Sequence, residues 1–377
     1  MKHFLLITLW LLLAEKNDRL YAQEQRNGSA GKEESAPTRL FRIYEDNDFI
    51  NIRGQGTDDA YTNGTRIDLF YTKNRPSRWW VDRNLPKAGD SSINVFGWGL
   101  EQLMFTPNDI SKSSYQPDDY PYSGALLATH TLYSYNPLKK YDLQTEIVVG
   151  VMGPASLARQ TQEAVHRLIH YQKPMGWDHQ FRNDLLLNIN FTAEKQLAQK
   201  QLSVAGPSVE VIGGGQVFYG TMLNGVAVYP LIRIGKMTPY FKGYLSQYSS
   251  GKHRGSRRKD KLQAYFVIKP EATLIFTNAL LEGGLFTSNP NKTPPVKDVA
   301  KDPGAADPSA QADGETHSAA QPFEPYHDLH KLVYSINYGA VLVSGNFSIS
   351  FIQNTSSSMM KGLYNHEVGN ITLYVSW

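Results

Sequence analysis

The chain has 377 residues, of which 41% are hydrophobic and 12% aromatic (22 Tyr, 16 Phe, 6 Trp), with a formal net charge of +3 at pH 7 and no cysteine. The lack of cysteine excludes a fold held by disulfides, and no apolar run reaches the length of a membrane helix. A chain rich in aromatics yet not apolar overall leaves two classes, a soluble β-protein and a transmembrane β-barrel.

The N-terminus, "MKHFLLITLWLLLAEKNDRLYAQEQ", has a positive start at Lys2 and His3, an apolar run from Phe4 to Ala14, and a small-residue cleavage site ending at Ala22. That pattern predicts a secretory signal peptide over 1–22 and an exported domain over 23–377. Stretches with partial two-residue alternation follow at 39–49, 60–73, 93–106, 121–136, 141–152, 180–196, 206–217, 221–234, 262–281, 328–343, 345–354 and 366–377. Twelve strands, an even number, return both termini to the periplasmic side. Strand parity places "YFKGYLSQYSSGKHRGSRRKDK", with its basic run from Lys252 to Lys261, in the periplasm as a solvated connection. That compartment offers no nucleic-acid partner.

One segment does not read as a strand. "GPASLARQTQEAVHRLIHYQ" opens with Gly153 and Pro154, offers Ser156 as an N-cap and continues through good helix formers toward Pro174. It predicts a loop helix over 153–172 on the extracellular side, with Gln162 and His166 four apart on one face. Residues 289–326, dominated by Pro, Ala, Asp, Ser and Gly, are expected to be a disordered external loop. In the last stretch, "NITLYVSW", Ile371, Leu373, Val375 and Trp377 share one face of a strand, and Asn370, Thr372, Tyr374 and Ser376 the other. An amphipathic strand that ends in an aromatic residue favours an all-β, transmembrane antiparallel barrel of about twelve strands over a soluble sandwich.

Four blocks in order, "EDNDFI" (45–50), "DDAYTNG" (58–64), "FTPNDISK" (105–112) followed by "DDYPYSG", and "GPASLARQTQEAVHRLI" followed by "KPMGWDHQ", resemble the outer-membrane lipid A 3′-O-deacylase family. The resemblance implies a twelve-stranded barrel whose site lies between the outer-leaflet side of the wall and the loop helix. It implies hydrolysis of an acyl ester of lipid A, the membrane anchor of lipopolysaccharide, with a divalent cation, usually calcium. Carried over position by position, it points to His166, Gln162, Asn47, Asp48 and Thr62 as site residues, and to Lys112 as a substrate contact. The family's Glu six residues after the histidine is here Gln172. An amide oxygen still ligates calcium, so Asp48 and Gln172 are the expected metal ligands, with one negative charge fewer. A monomer in the outer membrane is the expected state.

The chemistry stands on its own terms. A neutral histidine deprotonates water, and a cation or polar donors take up the oxyanion's charge, so no serine is required. Gln162 or Asn47 would orient the imidazole or the water, Thr62 would add a hydrogen bond, and Lys112 would hold a lipid A phosphate. The plainer reading of Asp48 is an ion pair with Arg66 inside the lumen. His170 lies four residues after His166, but "HRLIH" lacks the Glu of a zinc-hydrolase pair, so His170 is read as a bystander at the helix C-terminus. Two other functions compete with the deacylase. One is a non-catalytic barrel, either a porin or a surface-binding protein. The other is an outer-membrane phospholipase, whose Ser-His-Asn arrangement finds no matching His-x-Ser spacing here.

Overall fold

In the computed structural model, residues 38–52, 60–73, 75–203, 206–249, 262–286 and 328–377 are described; the signal peptide, the basic run at 252–261 and the 289–326 segment lie outside them. The described residues form twelve strands: β1 Arg39–Asn47, β2 Ala60–Thr72, β3 Ile93–Thr106, β4 Ser123–Asn136, β5 Tyr141–Met152 and β6 Asp184–Gln201. The remaining six are β7 Ser208–Gly220, β8 Leu223–Lys236, β9 Gln263–Asn278, β10 Leu332–Ser344, β11 Phe347–Ser356 and β12 His366–Ser376. Every strand pairs antiparallel with its sequence neighbour, and β1 pairs with β12 to close the barrel. Closure leaves no open edge, which a sheet in hydrocarbon requires. The α-helices are short: α1 Trp80–Asn84, α2 Ala158–Ile169, α3 Tyr244–Gln247 and α4 Ala279–Glu282.

Two-residue alternation sorts side chains between lipid and lumen. On β1–β3 the odd positions Ile43, Ile67 and Leu69 and the even positions Trp98 and Leu100 are exposed on the outer wall, while Leu40, Asp68, Phe70 and Val95 are buried inside. The lumen is charged at mid-height. Arg66 reaches Asp68 (2.9 Å), Glu101 (3.3 Å) and Glu146 (2.6 Å), and Arg42 pairs with Asp68 at 2.6 Å. Asp48 is therefore not Arg66's partner; it sits outside β1, in a 3₁₀ turn at Asp48–Ile50.

Both ends of the lumen are filled. Twelve strands enclose a bore wider than their own inward side chains span, so further chain must enter it. At the periplasmic end residues 240–248 of the β8–β9 connection, expected to be solvated, instead fold inward. Phe241 and Leu245 are buried, and Tyr244 packs on Phe70 with ring centroids 4.8 Å apart. Tyr248 stacks on Tyr374 at 4.0 Å, and Arg42 donates to the Tyr244 hydroxyl at 3.0 Å. At the extracellular end Leu280 and Leu281 of α4 join Phe105, Tyr120, Leu127 and Met360 in an apolar cluster. The expected strand over 262–281 overran by one helical turn, because Asn278 caps α4 by accepting from the Leu280 N–H at 3.0 Å.

A lumen filled in this way is expected to pass no ions. Planar bilayers containing the refolded protein should show no stepwise conductance, whereas regular single-channel steps would mean that the 240–248 plug does not seat.

Candidate active site

The loop helix lies against the outside of the barrel. Gln102, Met104 and Gly124 all face outward, and the first turn of α2 rests on them. Gln102 Nε2–H donates to the Ser156 carbonyl at 2.7 Å. A Cβ on Gly124 would fall 2.3 Å from the Ala158 Cβ and 2.6 Å from Ser156 Oγ, so only glycine lets the helix this close. Met104, Ile110, Tyr122, Ala158 and Trp177 form an apolar cluster under it. The helix is shorter than expected at both ends. Leu157, at φ 60°, occupies the N-cap position in place of Ser156, whose hydroxyl lies 3.4 Å from the Ala158 N–H. The helix stops at Ile169, not at Pro174, because His170 turns left-handed (φ 56°) and the Tyr171 N–H donates to the His166 carbonyl at 2.8 Å.

Gln162 and His166 form the buried face of α2, as their spacing predicts. Gln162 Oε1 accepts the Trp177 indole N–H at 2.7 Å, with Trp177 fully buried. His166 Nδ1 is hydrogen-bonded to the Gln172 backbone carbonyl. A carbonyl only accepts, so Nδ1 carries a proton, and the tautomer compatible with this bond has its lone pair on Nε2. The Tyr171 ring packs edge-on to the imidazole at 5.1 Å and further limits its rotation. His166 is thus held by its Nδ1 bond and by the ring of Tyr171.

The other predicted residues lie on the adjoining outer wall. Asn47 ends β1 in register with Asn63 of β2 and Gly369 of β12. Its Oδ1 accepts the Phe49 N–H at 2.8 Å, and the 3₁₀ turn so capped carries Asp48, buried, against the outer side of β12, where a Cβ on Gly369 would collide with the Ile50 backbone at 2.7 Å. Thr62 is the extra residue of a bulge in β2, which swings its hydroxyl to within 2.6 Å of that of Thr106 on β3. Between them stand outward-facing polar residues that sequence reasoning missed. The Glu45 carboxylate accepts from Asn63 Nδ2 and from the Thr65 hydroxyl (2.7 Å). Polar groups here break the apolar pattern of the lipid-facing wall, and that break in alternation was the available signal.

A family model that spans nearly the whole chain decides the family. The chain belongs to the outer membrane protein LpxR family. The family model matches residues 5–377. Among solved structures the chain is similar to LpxR from Salmonella typhimurium, at 15% identity over 90% of this chain and 100% of that one, with a TM-score of 0.62. The β-domain of the Bordetella autotransporter Brka also matches, at 9% identity over 91% and 100% of the two chains and a TM-score of 0.39. No curated protein matches. This LpxR-family chain is an outer-membrane barrel, so the face carrying α2 and Asp48 looks into the outer leaflet.

The backbone of Lys112 lies beside the segment after α2, where a Cβ on Gly176 would fall 3.1 Å from the Lys112 carbonyl. The Lys112 side chain, exposed on the β3–β4 loop, pairs with Asp109 at 3.1 Å. Hydrogen bonds from Ser111 and Lys112 hold the Asp109 carboxyl below the usual carboxylate range. The loop is tied to the segment after α2 by the Met175 N–H, which donates to the Ile110 carbonyl at 2.8 Å. Gln172 contributes its main chain to His166, while its side-chain amide donates to the Lys173 carbonyl at 3.2 Å. Asp48 and Gln172 offer hard oxygen donors that suit calcium in kind. Among the described residues no three His, Asp or Glu side chains gather as a metal site, so the set is sparse in charge. His170 is exposed and serves as the helix's left-handed C-cap.

Replacing Trp177 with Phe keeps the packing and removes the bond to buried Gln162, at a cost of about 1–3 kcal/mol. The expected result is a lower unfolding midpoint and hydrolysis reduced with it. An unchanged midpoint would show that this bond does not hold the helix.

Proposed function

We propose that this protein is a lipid A deacylase that removes the 3′ ester-linked acyl (acyloxyacyl) chain of lipopolysaccharide from the outer leaflet. The observation that carries the reading is His166, buried on the outer side of the wall with Nδ1–H held by the Gln172 carbonyl. Nε2 takes a proton from water, whose oxygen attacks the acyl carbonyl carbon. The tetrahedral intermediate collapses with cleavage of the bond to the sugar oxygen, which receives the proton from the imidazolium. The products are a free fatty acid and a 3′-hydroxyl. No covalent enzyme intermediate forms, and no serine is needed.

Asn47 uses its carbonyl oxygen on the Phe49 N–H, which leaves its amide N–H groups to donate to the oxyanion or to the attacking water. The Thr62 hydroxyl, held in the bulge, supplies a second donor. Asp48 and Gln172 are the residues that would hold a calcium ion, which when bound would stabilise the oxyanion's charge. Lys112 contributes a point charge for a lipid A phosphate. The filled lumen supports this reading over a porin, because a substrate reaches the site from the leaflet and not through the bore.

Mass spectrometry of lipid A incubated with the refolded protein tests the reading. The loss of one acyl or acyloxyacyl group is expected in calcium. His166→Ala should slow it by about 10²–10⁴-fold while the barrel stays folded. A chelator should abolish it, and Gln172→Glu should lower the calcium needed. No mass change in a folded wild-type protein under any of these conditions would favour the non-catalytic scaffold, and full activity of His166→Ala would remove the proposed base.

A further inference from the structure

The β2–β3 connection, residues 73–92, belongs to the periplasmic end, where Thr72 N–H donates to the Thr38 carbonyl beside the chain's last residue. It does not hang free into the periplasm. It folds up the outside of the wall over β4, whose even-numbered residues face outward. Asp82 accepts from His130 Nε2 at 2.8 Å, Ala88 N–H donates to Ser134 Oγ at 2.9 Å, and Asn136 Nδ2–H donates to the Ala88 carbonyl at 2.9 Å. Lys73 (2.7 Å) and Ser77 (2.6 Å) donate to the same Asp82 carboxylate, which buries it as the clasp of the loop. The clasp fixes what faces outward. Trp79 stacks on Trp98 of β3 at 5.8 Å and 22°, and the exposures of Trp79, Trp80 and Trp98 are 40%, 65% and 49%.

Three exposed indoles side by side are unfavourable in water and suited to the boundary between headgroups and acyl chains. They continue the lipid-facing face of β3, where Leu100 follows Trp98 outward. Around them the loop carries five basic residues, Lys73, Arg75, Arg78, Arg83 and Lys87, against two acidic ones, Asp82 and Asp90. Asp82 is already bound by Lys73 and His130, while Arg75, Arg78 and Arg83 are exposed around the tryptophans. Indoles at the acyl boundary beside guanidinium groups at headgroup level match an anionic phospholipid, whose phosphate Arg engages through paired N–H donors.

We propose that residues 75–92 form a docking surface for an anionic phospholipid of the periplasmic leaflet, of the phosphatidylglycerol type. Trp79 and Trp80 lie at the acyl boundary, and Arg75, Arg78 and Arg83 bind the headgroup. The contact anchors the periplasmic rim in its own leaflet, on the opposite side of the membrane from the α2 site, and so sets the height at which that site meets the outer leaflet.

Native mass spectrometry of the full folded chain, released from neutral detergent with equal phosphatidylglycerol and phosphatidylcholine, tests this. The wild type should retain phosphatidylglycerol in preference by at least about tenfold. The triple variant Arg75→Gln, Arg78→Gln, Arg83→Gln should lose that preference, with its heat-modifiable gel band showing an intact barrel. Trp79→Ala with Trp80→Ala should reduce the retention of both lipids. Equal retention of the two lipids by the wild type, or an unchanged preference in the triple variant, would overturn the proposal.

Discussion

A polar side chain turned toward hydrocarbon must be bonded or covered, and at the outer-leaflet end of β1–β3 several face that way: Glu45, Asn63, Thr65 and Gln102. Their hydrogen bonds are met locally or by the elements laid over them. Glu45 is satisfied by Asn63 and Thr65, and Gln102 by the Ser156 carbonyl at the start of α2. Gln102 is covered by α2, which carries Gln162 and His166, while the capped turn with Asp48 packs beside it on the outer side of β12. The break in the lipid-facing pattern thus marks the wall on which α2 rests. A barrel that kept strict alternation would have no reason to hold a helix against its outer wall.

Rigidity on the inner side complements this arrangement. The Arg66 cluster, the Tyr244–Tyr248 plug and the α4 cap fill the bore, so the strands carrying Asn47, Thr62 and Thr106 rest on a packed interior. Preorganised donors are effective only when they do not move as charge develops, and a filled barrel provides that fixity. His166 depends on the loop that follows its own helix, because the left-handed turn at His170 brings the chain back to place the Gln172 carbonyl on Nδ1. The residue read as a bystander therefore has a structural part to play in its neighbour's orientation.

The strands were legible because alternation is local: each predicted segment overlaps an observed one, and "NITLYVS" (370–376) lies in β12 as its two faces suggest, with Trp377 just beyond it. The shared face of Gln162 and His166 was legible for the same reason, since helical periodicity needs only four residues. What the sequence hid depends on contacts distant along the chain. The 240–248 segment reads as a polar connection, and its burial requires Phe70, Tyr133 and Tyr374 from three separate strands. Residue 172 draws attention to its side chain, whereas its backbone carbonyl is what touches His166, and no residue letter encodes that. Glu45 and Asn63 are unremarkable letters until register places them side by side on the lipid face.

Everything here turns on substrate meeting the outside of the wall. A lipid A bearing a diazirine in its 3′-acyl chain, photolysed with the folded protein and mapped by peptide mass spectrometry, reports the surface that the chain occupies. Label on peptides spanning 61–67, 98–106 and 158–171 is the expected pattern. Label concentrated on the lumen-filling residues 240–248, with the outer-wall peptides unmodified, would contradict the placement of the site.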